Sequence, residues 1–209
     1  MSGEAELGIP LNRRVNPSPW AGFFRRLLGI LFRPTATWNH IATQEPPLGA
    51  MLWPHAVVLV LARAFSEMIG VWSAGYPFLH AMKQFVLSTA VLFVTMWLFA
   101  MVAGTLAATR HGEGGFLAAF RLSGYALTPL YVCGVLAVLP FRYVQMAVDV
   151  LAMPWAFYVL GVGIVPMLKV KEKDGAKLTA MLCGALMVMW VLMPGLVREL
   201  LLTLAKQPA

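Results

Sequence analysis

Apolar positions in this chain fall into five long runs, at 48–70, 83–108, 116–140, 143–168 and 177–201, divided by short polar stretches. Each run is long enough to cross a hydrocarbon core as a helix, which takes about 20 residues. A segment in lipid must pair its own backbone N–H and C=O groups, so isolated runs of this length predict helices. A β-barrel would show period-two alternation in shorter segments. The stretch VLFVTMWLFAMVAGTLAA at 91–108 does not alternate. The pattern predicts an all-α fold, a polytopic membrane bundle of five transmembrane helices over 48–205.

The region before the first run has its own pattern. Residues 1–17 are polar, with Gly and Pro, and are expected to be mobile. Residues 18–47 read as an interfacial amphipathic region. At about 100° per residue, Trp20, Phe23, Phe24, Leu27, Leu28, Ile30 and Leu31 share an arc of roughly 160°, with Arg25, Arg26 and Arg33 opposite. Ser18 can cap this helix and Pro19 can occupy its first turn. The expectation is an in-plane helix with its apolar face in the acyl boundary and its arginines at the headgroups. Trp20, Phe23, Phe24, Arg25, Arg26, Arg33 and Trp38 are the candidate membrane-surface contacts. Packing of the same helix on the bundle is the alternative. Pro34 ends it, and PTATWNHIATQ at 34–44 can form a second short helix.

Composition agrees with a bundle: 60% hydrophobic and 12% charged residues, with a mean hydropathy of +0.75. No soluble domain of ordinary size fits beside five spans. The net charge of +7 changes the picture only through its distribution. Arg13, Arg14, Arg25, Arg26, Arg33, Arg110, Arg121, Lys169, Lys171, Lys173 and Lys177 fall on one side of the predicted spans. Lys83, Arg142, Arg198 and Lys206 fall on the other. The positive-inside rule then places the N-terminus in the cytoplasm and the C-terminus outside. The charge is an orientation signal and an attraction for anionic lipid on the cytoplasmic side, so no nucleic-acid partner is expected. The opening MSGEAELGIP lacks the apolar stretch of a signal peptide.

Arg63 and Glu67 are the sharpest local signal. They lie one turn apart inside the first run and can pair. Ionisable groups within a span are costly and face a bundle interior or a wet cavity. Asp149 falls at similar depth in the fourth run, and Arg142 and Arg198 approach from the same surface. These residues, Arg63, Glu67, Asp149, Arg142 and Arg198, form the candidate polar cluster. It reads either as an ion-pair network that locks helices or as a site for an anionic headgroup or a proton. Tyr125 and Thr128 are expected to satisfy carbonyls freed by Pro129.

Other chemistry is sparse. His40, His55, His80 and His111 supply no pair both intramembrane and level, as a membrane haem would need. No metal-ligand spacing is present. Cys133 and Cys183 differ in depth by about 15 Å at 1.5 Å per residue, too far for a disulfide. The GEGG turn at 112–115 lacks the lysine of a phosphate-binding loop. With no catalytic set, the expectation is a protein that is not an enzyme and needs no cofactor.

Two stretches resemble a known family. LFRPTATWNHIATQEPP at 31–47 places Pro34, Trp38, Ile41 and Ala42 as in the entry segment of bacterial Yip1-domain proteins. FRLSGYALTPLYVCGVLAVLP at 120–140 resembles their third span, with Tyr125 and then Thr128-Pro129 early and a closing proline. The resemblance implies a five-span fold with a cytoplasmic N-terminus, in a bacterial inner membrane, and more weakly a scaffold-like role. Eukaryotic members associate with Rab-type GTPases, but their Asp-Leu-Tyr-Gly-Pro-type motif is missing here. Three functional readings stay open: a scaffold or adaptor working through lipid and a membrane-protein partner or a second copy; a small transporter or lipid-handling protein; and an accessory subunit of a larger complex.

Overall fold

The computed structural model describes residues 19–44 and 47–205. The segment expected to be mobile, 1–17, lies outside the described residues. Helix α1 (Pro19–Phe32) and helix α2 (Pro34–Gln44) are joined at Arg33. A short α3 (Leu48–Ala50) runs into a π-type turn at Met51–Ala56. Trp53 is extended there, with φ −117° and ψ 125°, as a residue before proline tends to be. The chain then continues as α4 (Val57–Ser73), α5 (Phe78–Ala108), α6 (Gly115–Ala126) and α7 (Thr128–Gly134). A 3₁₀ turn at Val135–Val138 precedes α8 (Arg142–Leu168) and α9 (Glu172–Ala205).

Five stretches are long and apolar enough to cross a membrane: Met51–Ser73, Phe78–Ala108, Gly115–Val138, Met146–Leu168 and Glu172–Leu196. Every described element is helical, so the fold is the all-α bundle the hydropathy pattern predicts. The second span starts at Phe78 because Pro77 stands at the N-cap, and Lys83 lies inside the helix rather than before it. A lysine near a helix end can extend its charge toward the interface along its apolar stem.

Span 3 occupies the centre. Its apolar window is 67% buried, against 17% for span 5, which lies at the periphery. Span 3 is also broken: α6 gives way to α7 where Pro129 removes a backbone donor, and α7 then tightens into the 3₁₀ turn. α5 packs on α4, α6 and α9, and α8 packs on α2, α6, α7 and α9. The core this encloses includes Trp38, Phe99, Leu122, Tyr125, Leu130, Tyr131 and Leu160.

The sequence arc of α1 is divided between two environments. Phe23 and Ile30, at one edge of the arc, are buried in the bundle. Trp20, Phe24, Leu28 and Phe32 are exposed and recur every fourth residue, which lines them along one side of the helix. The buried edge packs on the bundle, which was the alternative expectation for α1.

Candidate functional site

The polar site is built around Arg63 in the middle of α4. Its side chain is buried, with 3% exposure. Nη1 and Nη2 donate to Asp149 Oδ1 and Oδ2 of α8, each at 2.9 Å. This is the two-pronged guanidinium–carboxylate geometry that makes strong, directional pairs. Nε donates to Glu67 Oε1 at 3.1 Å, and Nη1 also donates to the Leu130 carbonyl of α7 at 2.7 Å. The guanidinium lies over the Trp190 ring of α9, 4.9 Å from its centroid. Glu67 Oε2 accepts from Ser88 Oγ of α5, which in turn accepts from Gln84 Nε2 at 3.0 Å. One cation thereby reaches all five spans.

Backbone geometry makes room for this arrangement. A Cβ on Gly134 would stand 2.7 Å from Arg63 Cζ, so only glycine lets the guanidinium lie against α7. Asp149 is more open than Arg63 or Glu67, with 21% of its side chain exposed. Buried charge is stable only when paired and hydrogen-bonded, and four guanidinium donor contacts are filled here. Asp149, Glu67 and the Leu130 carbonyl take four of the five guanidinium donors. The cluster fastens helices to one another.

A second cluster sits nearer the end that carries α1 and α2. Trp38 is fully buried and its Nε1 donates to the Val159 carbonyl at 2.8 Å. Its ring meets Tyr125 edge-on, with centroids 6.1 Å apart. His55 lies 4.6 Å from Tyr125, ring to ring, and its Nε2 is 2.9 Å from Thr128 Oγ1. Arg26 of α1 reaches the Tyr125 hydroxyl at 3.5 Å. Pro34 and Pro129 are both buried. The two sequence motifs, at 31–47 and 120–140, therefore meet in space through Trp38 and Tyr125.

A model of the Yip1 domain matches residues 28–193. The chain belongs to the Yip1-domain family. No curated protein and no solved structure matches it. The matched segment runs from the last turn of α1 through most of α9, so it contains the Arg63 cluster and all of the second cluster but Arg26.

Several expected sites are placed differently in the structure. Trp38 and Phe23, read as membrane-surface contacts, are enclosed by protein. Trp38 is drawn in by the Val159 carbonyl and by space at Gly163, where a Cβ would stand 2.5 Å from Trp38 Cε2. Arg26 turns toward Tyr125 instead of lying opposite the buried face. Tyr125 and Thr128 engage Arg26 and His55, where carbonyls freed by Pro129 had been expected. Trp20, Phe24, Arg25 and Arg33 are exposed. Arg142 opens α8 and Arg198 lies late in α9, but their side chains fall outside the described residues, and with them that part of the expected cluster.

The sequence reading missed Ser88, the Leu130 carbonyl, Gly134 and Trp190 as members of the Arg63 site. Trp190 carried a signal. A tryptophan far from either predicted interface departs from the aromatic-belt pattern and invites a search for an intramembrane cation.

Proposed function

We propose that this Yip1-domain protein is a non-enzymatic membrane scaffold or adaptor, working through lipid contacts and through a membrane-protein partner or a second copy of itself. Its setting in this reading is a bacterial inner membrane, with the N-terminus in the cytoplasm and the C-terminus outside. The observation that carries the reading is α1. One edge of its apolar arc is docked on the bundle, while Trp20, Phe24, Leu28 and Phe32 face outward beside exposed Arg25 and Arg33. A helix of that kind inserts its apolar stripe at the acyl boundary and sets its arginines at anionic headgroups. The lopsided distribution of cations supports the orientation.

Reconstituting the full chain in anionic vesicles tests this. Replacing Phe24, Leu28 and Phe32 with serine leaves the docked edge intact. It is expected to abolish a change in vesicle size or clustering that the unaltered protein produces, with membrane insertion preserved. Identical vesicle behaviour of the two proteins defeats the scaffold reading. The transporter reading draws on the partial exposure of Asp149. It requires Asp149→Asn to stop flux while the bundle stays folded.

A further inference from the structure

A cavity of about 160 Å³ lies where α2, the start of α6 and the end of α8 converge. Ile41 and Ala42 wall it from α2, Leu117 and Arg121 from α6, and Met167 and Lys169 from the end of α8. Gly114 and Lys169 also place it at the ends of two membrane-crossing stretches, Gly115–Val138 and Met146–Leu168. That is the level at which headgroups meet protein.

Two cations from different spans line this space, and among the described residues no carboxylate does. Arg121 Nε is buried and has no hydrogen-bond partner. A buried donor left unmatched costs free energy that an anionic oxygen would recover. Arginine's planar fork matches phosphate, while lysine supplies a point charge to the same group. The first turn of α6 opens at Gly115, next to the lining residue Gly114, and a helix N-terminus favours an anion. Lys169 is held at the cavity edge by a left-handed backbone, φ 52°, and its N–H donates to the Val165 carbonyl at 3.0 Å. The remaining lining side chains are apolar, as an acyl segment would need.

We propose that this cavity binds a phosphate group at the membrane surface, presented by an anionic lipid headgroup or by a soluble phosphate ester. The site is separate from the outward stripe of α1, so it stands or falls independently of the scaffold reading. It is also not a phosphate-binding loop, since its cations come from α6 and from the residue that ends α8.

The test uses the full chain in two arms. In the first, nanodiscs of phosphatidylcholine with or without phosphatidylglycerol are released into a native mass spectrometer, and retained lipid is counted. In the second, inorganic phosphate and glycerol 3-phosphate are titrated calorimetrically into protein in phosphatidylcholine discs. Retention of phosphatidylglycerol assigns the lipid source, and heat from the esters assigns the soluble one. In either case Arg121→Gln is expected to weaken binding by about 10- to 100-fold, the worth of a charge-assisted hydrogen bond. Lys169→Gln, on an exposed residue at the helix end, serves if Arg121→Gln does not fold, and is expected to weaken binding in the same direction. The proposal is overturned by no binding in both arms, or by binding that neither variant alters.

Discussion

Trp38 stands edge-on to Tyr125, their planes at 87°, and this contact ties the pre-membrane segment to the central span. The indole N–H also reaches Val159, so one side chain holds α2, α6 and α8 together. Trp38→Ala removes the largest fully buried side chain and is expected to cost about 3–5 kcal/mol, the usual loss for a truncated core aromatic. Trp38→Phe keeps most of the packing, loses one hydrogen bond, and is expected to cost nearer 1 kcal/mol. Reversible unfolding in bicelles would measure both. Equal losses would show that the hydrogen bond dominates.

Gly163 is the other half of that contact. Its Cβ would meet Trp38 Cε2 at 2.5 Å and Leu122 Cδ1 at 2.9 Å. Gly163→Ala is expected to destabilise by about 1–3 kcal/mol through overpacking. The loss is expected to shrink in a Trp38→Phe background, where the colliding ring is smaller. A double-mutant cycle gives the coupling, and strict additivity would place the strain elsewhere.

Asp149→Asn strips a carboxylate charge from Arg63 while preserving shape. Arg63 keeps Glu67 as its counter-charge, so the loss is expected to be that of charge-assisted hydrogen bonds, about 1.5–3 kcal/mol. Arg63→Lys keeps the charge but cannot reach Asp149, Glu67 and the Leu130 carbonyl at once, so it is expected to be destabilising as well. Arg63→Met combined with Asp149→Leu and Glu67→Leu removes every charge of the cluster. It is expected to recover a large part of the loss. A triple variant less stable than Asp149→Asn would mean that the remaining Arg63–Glu67 pair carries stability that apolar packing does not replace.

Tyr131 gives an opposite sign. Its hydroxyl is buried and unpartnered, and its ring lies 6.5 Å from Trp190. Tyr131→Phe removes an unmatched polar group and is expected to leave stability unchanged or raise it by about 1 kcal/mol. A clear loss would reveal a water or ligand held by that hydroxyl.

The span count, the N-terminal helix α1 and the pairing of Arg63 with Glu67 were legible in the sequence because each rests on local spacing. Asp149 could be added by matching depths. The partners that complete the site could not. Spans such as α5 are apolar on all sides, so hydropathy does not show which way Ser88 turns about the helix axis. Trp38 was misplaced for a related reason. Near a predicted interface, tryptophan reads as a lipid anchor, and only the packing of α2 on α8 shows the indole facing a backbone carbonyl. The breaks in span 3 were signalled by Pro129, but the uses of Tyr125 and Thr128 depended on neighbours far away in sequence.

The reach of Arg63 bears on how the protein enters its membrane. The chain emerges from the ribosome in order, so α4 is delivered before α8 has been synthesised. Arg63 therefore meets lipid first with Glu67, its companion one turn along the same helix, which makes that segment easier to release sideways as a neutral unit. Asp149 arrives three crossings later and takes the other edge of the guanidinium. Glu67→Gln is therefore expected to reduce the yield of inserted protein more than it reduces the stability of protein already assembled.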